Sequence, residues 1–403
     1  MHALVMSSIF GVWHVYLVKG DPDRAVRTSA AALPVSDTGH TMSPTPTAER
    51  ATVRAIRQNP VVQSYSELLK SVKAAGLLER RSGFYIWVFV ALALLMAGTW
   101  LGFALIGQSW YQLLIAAAVG ILCTQLSFLA HEAGHKQIFA SRRCNDWSAR
   151  LLATGVAGIS YSWWEQKHGA HHNNPNVISK DQDIKNNALV FYEEAAAERK
   201  GRLAFLTRKQ GWFFFPLLTL LGLSLQFDSL RFVFGKQKVH HRWVETPILL
   251  VRLAALPVLA FTFLPLGMAF AFLGVQIVVY GFYMGASFAP NHKGMPVLPK
   301  DSRVDFLNRQ IRTSRNISGG IFMDFLLGGL NRQVEHHLFP DMARPHLHKA
   351  TKIVRGFCAK HSIPYTETTL MQSYGIVVSY LNEVGLAAGR GFECPVASTH
   401  GRR

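Results

Sequence analysis

Residues 84–135 read FYIWVFVALALLMAGTWLGFALIGQSWYQLLIAAAVGILCTQLSFLAHEAGH. The stretch holds two runs without a charge, Phe84–Ile106 with 23 residues and Trp110–Ala130 with 21, joined by Gly107-Gln108-Ser109. Each run, as a helix that rises about 1.5 Å per residue, is long enough to cross roughly 30 Å of hydrocarbon. The stretch therefore predicts a hairpin of two transmembrane helices, and the second helix leads directly into His131–His135.

A second hairpin is predicted at Ile248–Ala289, where 42 residues carry a single charge, Arg252. The Pro265-Leu266-Gly267 break divides this stretch into spans at 248–264 and 266–288. Lys and Arg flank the outer ends of both hairpins, and the turns inside the hairpins carry no charge. Because basic loops tend to stay on the cytoplasmic side, both hairpins are expected to begin and end in the cytoplasm.

The composition supports an integral membrane protein. Of the 403 residues, 49% are hydrophobic and 16% are charged, and the charged share is below the roughly 25% of a soluble domain. These values argue against a disordered chain, a coiled coil or an ordinary soluble enzyme. The formal charge of +18 then indicates basic faces against a lipid surface and not a nucleic-acid partner. The four cysteines show no paired spacing, so we expect neither a disulfide framework nor a zinc site.

The rest of the chain is predicted to surround the spans. Leu151–Trp164 and Trp212–Phe227 are too short for full spans and are interpreted as helices in the membrane interface. Residues 290–382 are polar enough for a cytoplasmic helical cap. The expected fold is thus all-α, with four transmembrane helices in two hairpins, interfacial helices and the cap. The expected domains are a variable extension at 1–60, a membrane domain at 61–360, and a C-terminal helix with a loose tail at 361–403; translation from Met42 is an equally good interpretation of the extension.

Histidine is the unusual residue, because eight of the 17 histidines form four groups just past the predicted cytoplasmic ends of spans. Spacings of three and four residues place side chains on one face of a helix. The third group is a single residue, and in the fourth Gln333 precedes the histidine pair on the same predicted face. The groups are His131 and His135; His168, His171 and His172; His292; and His336 and His337.

This number of imidazoles exceeds what one metal ion binds and fits two metals with open positions for a small molecule. Activation of dioxygen at two irons is the leading chemistry for such a set, although soluble di-iron bundles use mainly carboxylates. Each group alone also has a plain interpretation: a His-x-x-x-His pair is often unrelated to metals, and a lone His292 is often structural. Three clusters with helical spacing on one inferred side of a membrane favour the metal interpretation.

These motifs resemble the membrane fatty-acid desaturase family over roughly residues 80–360. The matching boxes are His131–His135, His168–His172 and Gln333–His337. The flanking sequences also match: Trp163-Trp164-Glu165-Gln166-Lys167, Asn174-Pro175-Asn176 and Leu338-Phe339-Pro340. The run Asn291–Pro296, together with the third box, resembles most the actinobacterial acyl-CoA desaturases, whereas Gln at the head of the third box is common in front-end desaturases.

The resemblance implies a four-span fold with two irons at the cytoplasmic surface and an acyl chain in a tunnel beneath them. It implies that a cis double bond is inserted into a long-chain acyl group, as by a Δ9 acyl-CoA enzyme, with O2 as co-substrate. The fused haem domain of many front-end enzymes carries a His-Pro-Gly-Gly motif, which this sequence lacks, so a separate ferredoxin or flavoprotein reductase is expected to supply electrons. The implied iron ligands are His131, His135, His168, His171, His172, His292, His336 and His337.

Further roles are expected for residues around the boxes. Gln333 is expected beside the metals and not on them, because a carboxamide is a poorer ligand than imidazole. Each ligand imidazole needs a hydrogen-bond acceptor on its other nitrogen. Candidates for this role are Glu132, Asp181, Asp183, Glu335, Asn291 and Asp324. Each acid has a solvated or capping role as the alternative, and that alternative is favoured for Asp181. Trp110, Trp163 and Trp164 are candidate tunnel walls. Lys349, Lys352 and Arg355 have helical spacing and are candidates for binding a head group or an acidic donor, or are simply a solvated basic surface.

Other functions remain open at this point. A membrane di-iron hydroxylase or ketolase shares the ligand logic, and a front-end acyl-lipid desaturase of Δ6 type is the main alternative within desaturases. A metal transporter would place ionisable residues inside the spans, and a haem cytochrome would place paired histidines there. Neither pattern is found in Phe84–Ile106, Trp110–Ala130 or Leu266–Phe288.

Overall fold

The computed structural model describes residues 60–389, with side chains from Ser64 onward, and helices make up most of this part of the chain. The expected extension and the end of the expected tail lie largely outside the described residues. The first half comprises α1 (Pro60–Ala74), α2 (Ser82–Ile106), α3 (Gln112–Gly134), α4 (Arg142–Arg150), a π-helical turn (Leu151–Ala157), α5 (Tyr161–Asn173), a 3₁₀ turn (Gln182–Ile184), α6 (Glu193–Ala197), α7 (Gly201–Thr207), α8 (Gln210–Leu218) and α9 (Leu221–Val233). The second half comprises α10 (Arg242–Phe263), α11 (Leu266–His292), α12 (Phe306–Arg312), β1 (Arg315–Ile317), α13 (Gly320–Leu326), α14 (Gln333–Leu338), α15 (Arg344–Lys360), β2 (Thr366–Thr368) and α16 (Leu370–Gly385).

The all-α membrane fold with four spans is confirmed. The helices α2, α3, α10 and α11 are each long and apolar enough to cross a membrane. They form two hairpins, with Gly107 and the Leu264-Pro265 pair at the breaks between helices. The helix α3 begins two residues later than Trp110 and ends at Gly134, so its last turn carries His131 and Glu132.

The spans α3 and α11 pack closely because small residues let their backbones approach. A Cβ atom on Gly120 of α3 would lie 2.8 Å from the carbonyl oxygen of Gln276 in α11. A Cβ on Gly281 of α11 would lie 2.5 Å from the backbone nitrogen of Gly222 in α9. Small residues at crossing points are the usual way in which helices associate in lipid. The tight crossings fix the end of α11, and hence His292, relative to the end of α3.

Both predicted interfacial helices are interrupted in the structure. Leu151–Trp164 is not one helix: a π-helical turn continues α4 to Ala157, the chain reverses at Gly158 with φ 77°, and α5 starts at Tyr161. Residues 210–233 form two helices, α8 and α9, bent by 73°. Hydropathy alone could not show either break, since both depend on local backbone turns within apolar sequence.

The remaining elements form the cap around the ends of α3 and α11. The strands β1 and β2 pair in parallel and are the only sheet in the described part of the chain. The C-terminal helix α16 packs against α8 and α11 and buries Val377 and Leu381. Its Ser373 hydroxyl donates to the Pro290 carbonyl oxygen at 2.8 Å. The cap therefore holds the last turn of α11 from several sides.

Candidate metal centre and active site

Eight histidines from four separate parts of the chain meet at the ends of α3 and α11. Within each of two groups, the potential ligand nitrogens all lie within 4.8 Å of one another. The first group consists of His131, His135, His168, His172 and His336. The second group consists of His171, His292 and His337.

The helices α5 and α14 contribute to both groups. Adjacent helical residues point about 100° apart, whereas residues four apart point in nearly the same direction. His168 and His172 of α5 therefore enter the first group, and His171 enters the second. In α14, His336 enters the first group and His337 the second. The expectation that each box presents a single ligand face is thus too simple, since these two helices lie between two centres.

The imidazoles of the first group turn their Nε2 atoms toward one another. Nε2 of His168 lies 3.1 Å from Nε2 of His131 and 2.8 Å from Nε2 of His135. Nε2 of His336 lies 3.1 Å from Nε2 of His172. Lone pairs converge in this way where a cation binds, and neutral imidazole is a donor for iron, copper and zinc.

The three imidazoles of the second group are held by acceptors on their Nδ1 atoms. His171 Nδ1 lies 2.9 Å from Asp181 Oδ2, His292 Nδ1 lies 2.9 Å from the Thr313 carbonyl oxygen, and His337 Nδ1 lies 2.8 Å from Gln310 Oε1. Such partners fix the tautomer that leaves Nε2 free for a metal. The buried Nε2 atom of His337 has no hydrogen-bond partner among the described residues. A buried, unpaired nitrogen that faces two other imidazoles fits a metal ligand.

The environment keeps most of these histidines neutral. Burial lowers the pKa of His135, His168, His172, His336 and His337 well below the ordinary value, and neighbouring imidazoles lower it further. Neutral imidazole is the form that binds a metal. His171 is the exception: burial opposes its protonation, but the Asp181 carboxylate outweighs burial and raises the pKa of His171.

Asp181 is a capping carboxylate of the 3₁₀ turn, as expected, but it is also a direct partner of His171. It is buried, and besides contacting His171 it accepts hydrogen bonds from the backbone N–H groups of Asn176 and Asp183, both at 2.8 Å. Asp183, expected to support a ligand, lies with Oδ2 3.5 Å from His171 Nδ1 and forms an ion pair with Lys167 at 2.6 Å. Asp181 therefore orients the ring of His171 directly, and Asp183 adds a longer contact.

A mainly apolar cavity of about 280 Å³ opens beside the two histidine groups. Its walls come from α3, the π-helical turn, α5, α8, α9 and α11, and include Ala157, Phe214, Leu218, Leu225, Met284 and Phe288. His131, His168, His171 and His292 line the cavity near the metal groups. Apolar side chains of the helices and imidazoles of both histidine groups therefore line one cavity.

Comparison with known proteins identifies the family. A family model described as fatty acid desaturase matches residues 108–369. The chain belongs to the fatty acid desaturase family. It is therefore an oxidoreductase that acts on fatty acyl chains, and the resemblance of its histidine boxes is confirmed.

Several curated desaturases are similar to this chain over most of its length. It is 27% identical over 328 residues to Delta(8)-fatty-acid desaturase 2 of Arabidopsis thaliana, covering 78% of this chain and 72% of that protein. It is 33% identical over 285 residues to acyl-lipid (9-3)-desaturase of Physcomitrium patens, covering 68% of this chain and 54% of that protein. It is 26% identical over 356 residues to Delta(6)-fatty-acid desaturase fat-3 of Caenorhabditis elegans, covering 82% and 77% respectively.

Gln333 of this desaturase contacts the second histidine group directly. Its Nε2 atom lies 2.9 Å from Nε2 of His292, and Asn291 Nδ2 donates to Gln333 Oε1 at 3.2 Å. Asn291 was expected to accept a hydrogen bond from an imidazole, but among the described residues it has no such contact and donates to the carboxamide of Gln333. The carboxamide of Gln333 therefore contacts the His292 nitrogen that would bind a metal. Gln333 lies among the imidazoles of the second histidine group and not behind them.

Three acids expected to accept from imidazoles have other partners. Glu132 pairs with Arg344, Glu335 accepts from Asn316 at 2.7 Å and from Tyr365 at 2.8 Å, and Asp324 pairs with Arg332 at 2.7 Å. Glu132 and Glu335 are each adjacent in sequence to a histidine, but neighbouring helical side chains diverge, so the carboxylates point away from the metal groups. In their place, the structure uses Thr313 and Gln310, residues that no motif distinguishes in the sequence.

Of the three tryptophans expected to form tunnel walls, two line the cavity and one does not. Trp163 and Trp164 line the cavity, and the Trp164 ring stacks on His168 with centroids 4.6 Å apart. Trp110 does not: it is 62% exposed and precedes α3 at the end opposite His131. Lys349, Lys352 and Arg355 are exposed on α15, and Arg355 pairs with Glu367. None of these three basic residues lines the cavity.

Proposed function

We propose that this desaturase is a front-end enzyme that inserts a cis double bond into a long-chain acyl group near its carboxyl end. It would use dioxygen and two electrons from a separate ferredoxin or flavoprotein reductase. The observation that carries the proposal is the meeting of two imidazole groups with one apolar cavity. An acyl chain has no polar handle near its reacting carbons, so cavity shape must set their position.

The residues present fit two irons. One iron would be held by the first histidine group and the other by His171, His292 and His337, with Gln333 beside it. The bound irons would supply the redox activation of dioxygen that hydrogen removal from unactivated methylene groups needs. The protein residues would orient the ligands through Asp181, Thr313 and Gln310, and the apolar walls would keep water away from the chain.

Two observations favour a front-end acyl-lipid enzyme over a Δ9 acyl-CoA enzyme. The relatives quoted above are named as Delta(8), Delta(6) and acyl-lipid (9-3) desaturases. Gln333 heads the third box, as in many front-end enzymes, and contacts the second histidine group. A Δ9 acyl-CoA activity, suggested by the run Asn291–Pro296, is the alternative.

The proposed orientation places the histidine groups and the cap in the cytoplasm of the cell membrane. Basic residues flank the histidine-bearing ends of α3 and α11, including Lys136, Arg142, Lys293 and Lys300. Soluble electron donors would then reach the same side as the metal centre. A cysteine-accessibility assay in intact cells tests the orientation: a single cysteine at Lys300 should stay unlabelled by a membrane-impermeant maleimide, and one at Ser109 should be labelled. The opposite labelling would contradict the orientation.

Fatty-acid profiling by gas chromatography–mass spectrometry, with double-bond location, tests the function. The chain would be expressed with a reductase donor, beside His171→Ala as a control that removes a ligand of the second group. A new cis double bond at Δ5–Δ8 that disappears in the control is the expected result. A bond at Δ9 formed from acyl-CoA would replace the front-end proposal, and a hydroxylated product would replace desaturation.

A further inference from the structure

We propose that Lys167 and Lys293 form a binding site for the anionic head group of the acyl substrate, a phosphate or carboxylate. The inference rests on the proposed function, because it specifies the substrate of that same site. Both lysines line the cavity, whose other walls are mainly apolar, and both lie beside the second histidine group.

Asp183 brings the two ammonium groups together. Lys167 Nζ lies 2.6 Å from Asp183 Oδ1, and Lys293 Nζ donates to the backbone oxygen of Asp183 at 2.7 Å. The two cations therefore flank one residue of the cavity lining. They come from α5 and from the residue after α11, so the tertiary fold alone makes them neighbours.

Lys293 retains donors for a ligand. An ammonium group has three N–H donors, and the contact with the Asp183 backbone oxygen is the one hydrogen bond of the Lys293 ammonium group among the described residues. Asp181 and Asp228 interact with the two lysines electrostatically, and the Asp181 carboxylate contacts His171 instead of a lysine. A cation with free donors in an apolar cavity is a strong site for an anion.

Aromatic rings hold both lysines in place. Lys293 Nζ lies 4.1 Å from the centroid of Phe191, and Lys167 Nζ lies 5.4 Å from that of Trp163. Such contacts restrict long side chains and reduce their exposure to water. The lysines are therefore fixed parts of the cavity and differ from the exposed Lys349 and Lys352.

The location of the site bears on where the double bond forms. Asp183 Oδ2 lies 3.5 Å from His171 Nδ1, so the lysine pair is separated from the second histidine group by a single side chain. A head group bound there would present the first carbons of the acyl chain to the metal centre and leave the methyl end in the cavity. This arrangement suits oxidation near the carboxyl end.

Thermal stabilisation of the purified full-length protein by short amphiphiles tests the site without turnover. The probes are decyl phosphate, decanoate and uncharged decanol, because a ligand that binds the folded state raises its melting temperature. The wild type should be stabilised more by an anionic probe than by decanol. Lys293→Met should lose this preference, with anion affinity lowered about tenfold or more, since a charge-assisted hydrogen bond is removed.

Matched variants separate charge from folding. Lys293→Arg keeps a cation and should keep the preference, and the exposed Lys300→Met should behave as wild type. Lys167→Met removes the ion-pair partner of Asp183 as well as a cation, so its anion preference is compared with that of Lys293→Met. Equal stabilisation of the wild type by anionic probes and decanol, or an unchanged preference in Lys293→Met, would overturn the proposal.

The probes also distinguish a phosphoester from a free carboxylate, and together with product analysis they test the head-group site separately from the proposed function. A larger shift with decyl phosphate indicates a phosphoester, as in a phospholipid or coenzyme A, and a larger shift with decanoate indicates a free fatty acid. A lysine-dependent preference without any desaturated product would retain the head-group site and contradict the proposed function. Front-end desaturation with no anion preference would retain the proposed function and contradict the head-group site.

Discussion

Arg344 forms a buried, two-point ion pair with Glu132, which lies 212 residues before it in the chain. Nε of Arg344 lies 2.6 Å from Glu132 Oε1, and Nη2 lies 2.5 Å from Oε2. The Arg344 backbone N–H also donates to the Tyr85 hydroxyl at 3.0 Å. Glu132 follows His131 at the end of α3, and Arg344 starts the helix after the third box. The pair therefore ties two histidine boxes together.

Breaking this pair should loosen the metal centre. Arg344→Met leaves the Glu132 carboxylate buried without its partner, and removal of one member of a buried pair costs about 3–5 kcal/mol. We expect a lower melting temperature and less bound iron per chain, measured by size-exclusion thermostability and by elemental analysis. The double variant Glu132→Gln with Arg344→Met should recover part of the loss. An additive double variant would show that the two side chains do not act together.

Asp181→Asn should weaken metal binding without unfolding the protein. The change removes the charged acceptor that orients His171, and partners of this kind typically contribute ten- to a hundredfold in metal affinity. Competition with a chelator measures the affinity. The exposed Asp301→Asn is the matched control and should bind iron as the wild type does. Equal affinities for Asp181→Asn and wild type would contradict the assigned role.

Gly134→Ala should disturb the first histidine group. A Cβ at this position would lie 2.5 Å from the ring of Trp164, which stacks on His168. Overpacking of this kind costs about 1–3 kcal/mol and would shift the Trp164 ring. We expect a loss of bound iron and of product.

Gly169→Ala is the control for that change, because no atom lies within 4 Å of the corresponding Cβ. It should retain iron and activity, and the comparison is direct because Gly169 lies within the second box. Identical iron content in both alanine variants would exclude a positioning role for the Trp164 contact.

Arg315 should be important for holding His292. It is buried, has no acidic partner within residues 64–389, and donates to the Pro290 carbonyl oxygen at 2.6 Å and to that of Lys293 at 2.7 Å. These carbonyls flank His292 at the C-terminus of α11, where a cation is favoured. Arg315→Met leaves buried acceptors unpaired, at about 1–3 kcal/mol each.

The measurement for Arg315 is the melting temperature together with the iron content. Arg315→Met should lower both, and Arg315→Lys, which keeps the charge but reaches fewer carbonyls, should lie between it and the wild type. The exposed Arg312→Met serves as a control. An iron content unchanged in Arg315→Met despite a lower melting temperature would limit Arg315 to a structural role.

The sequence by itself determined the spans, the histidine boxes and the chemistry of the site. Runs without charge, such as Phe84–Ile106, leave a helix across the membrane as the favourable state, because unpaired backbone groups are costly in lipid. Helical spacing placed His131 with His135, and His168 with His172, on one side of a helix, but it also grouped His171 with them. The residue types predicted a site with nitrogen ligands for metals, and the structure brings these imidazoles together.

Only the tertiary structure decided how these parts combine. It divided His168 and His172 from His171, paired Glu132 with Arg344, and excluded Trp110 from the cavity. It also recruited Asp181, Thr313 and Gln310 as partners of the second histidine group. The physical reason is that helical periodicity fixes the direction of a side chain relative to its own helix, whereas its partner is set by the packing of helices distant in the chain.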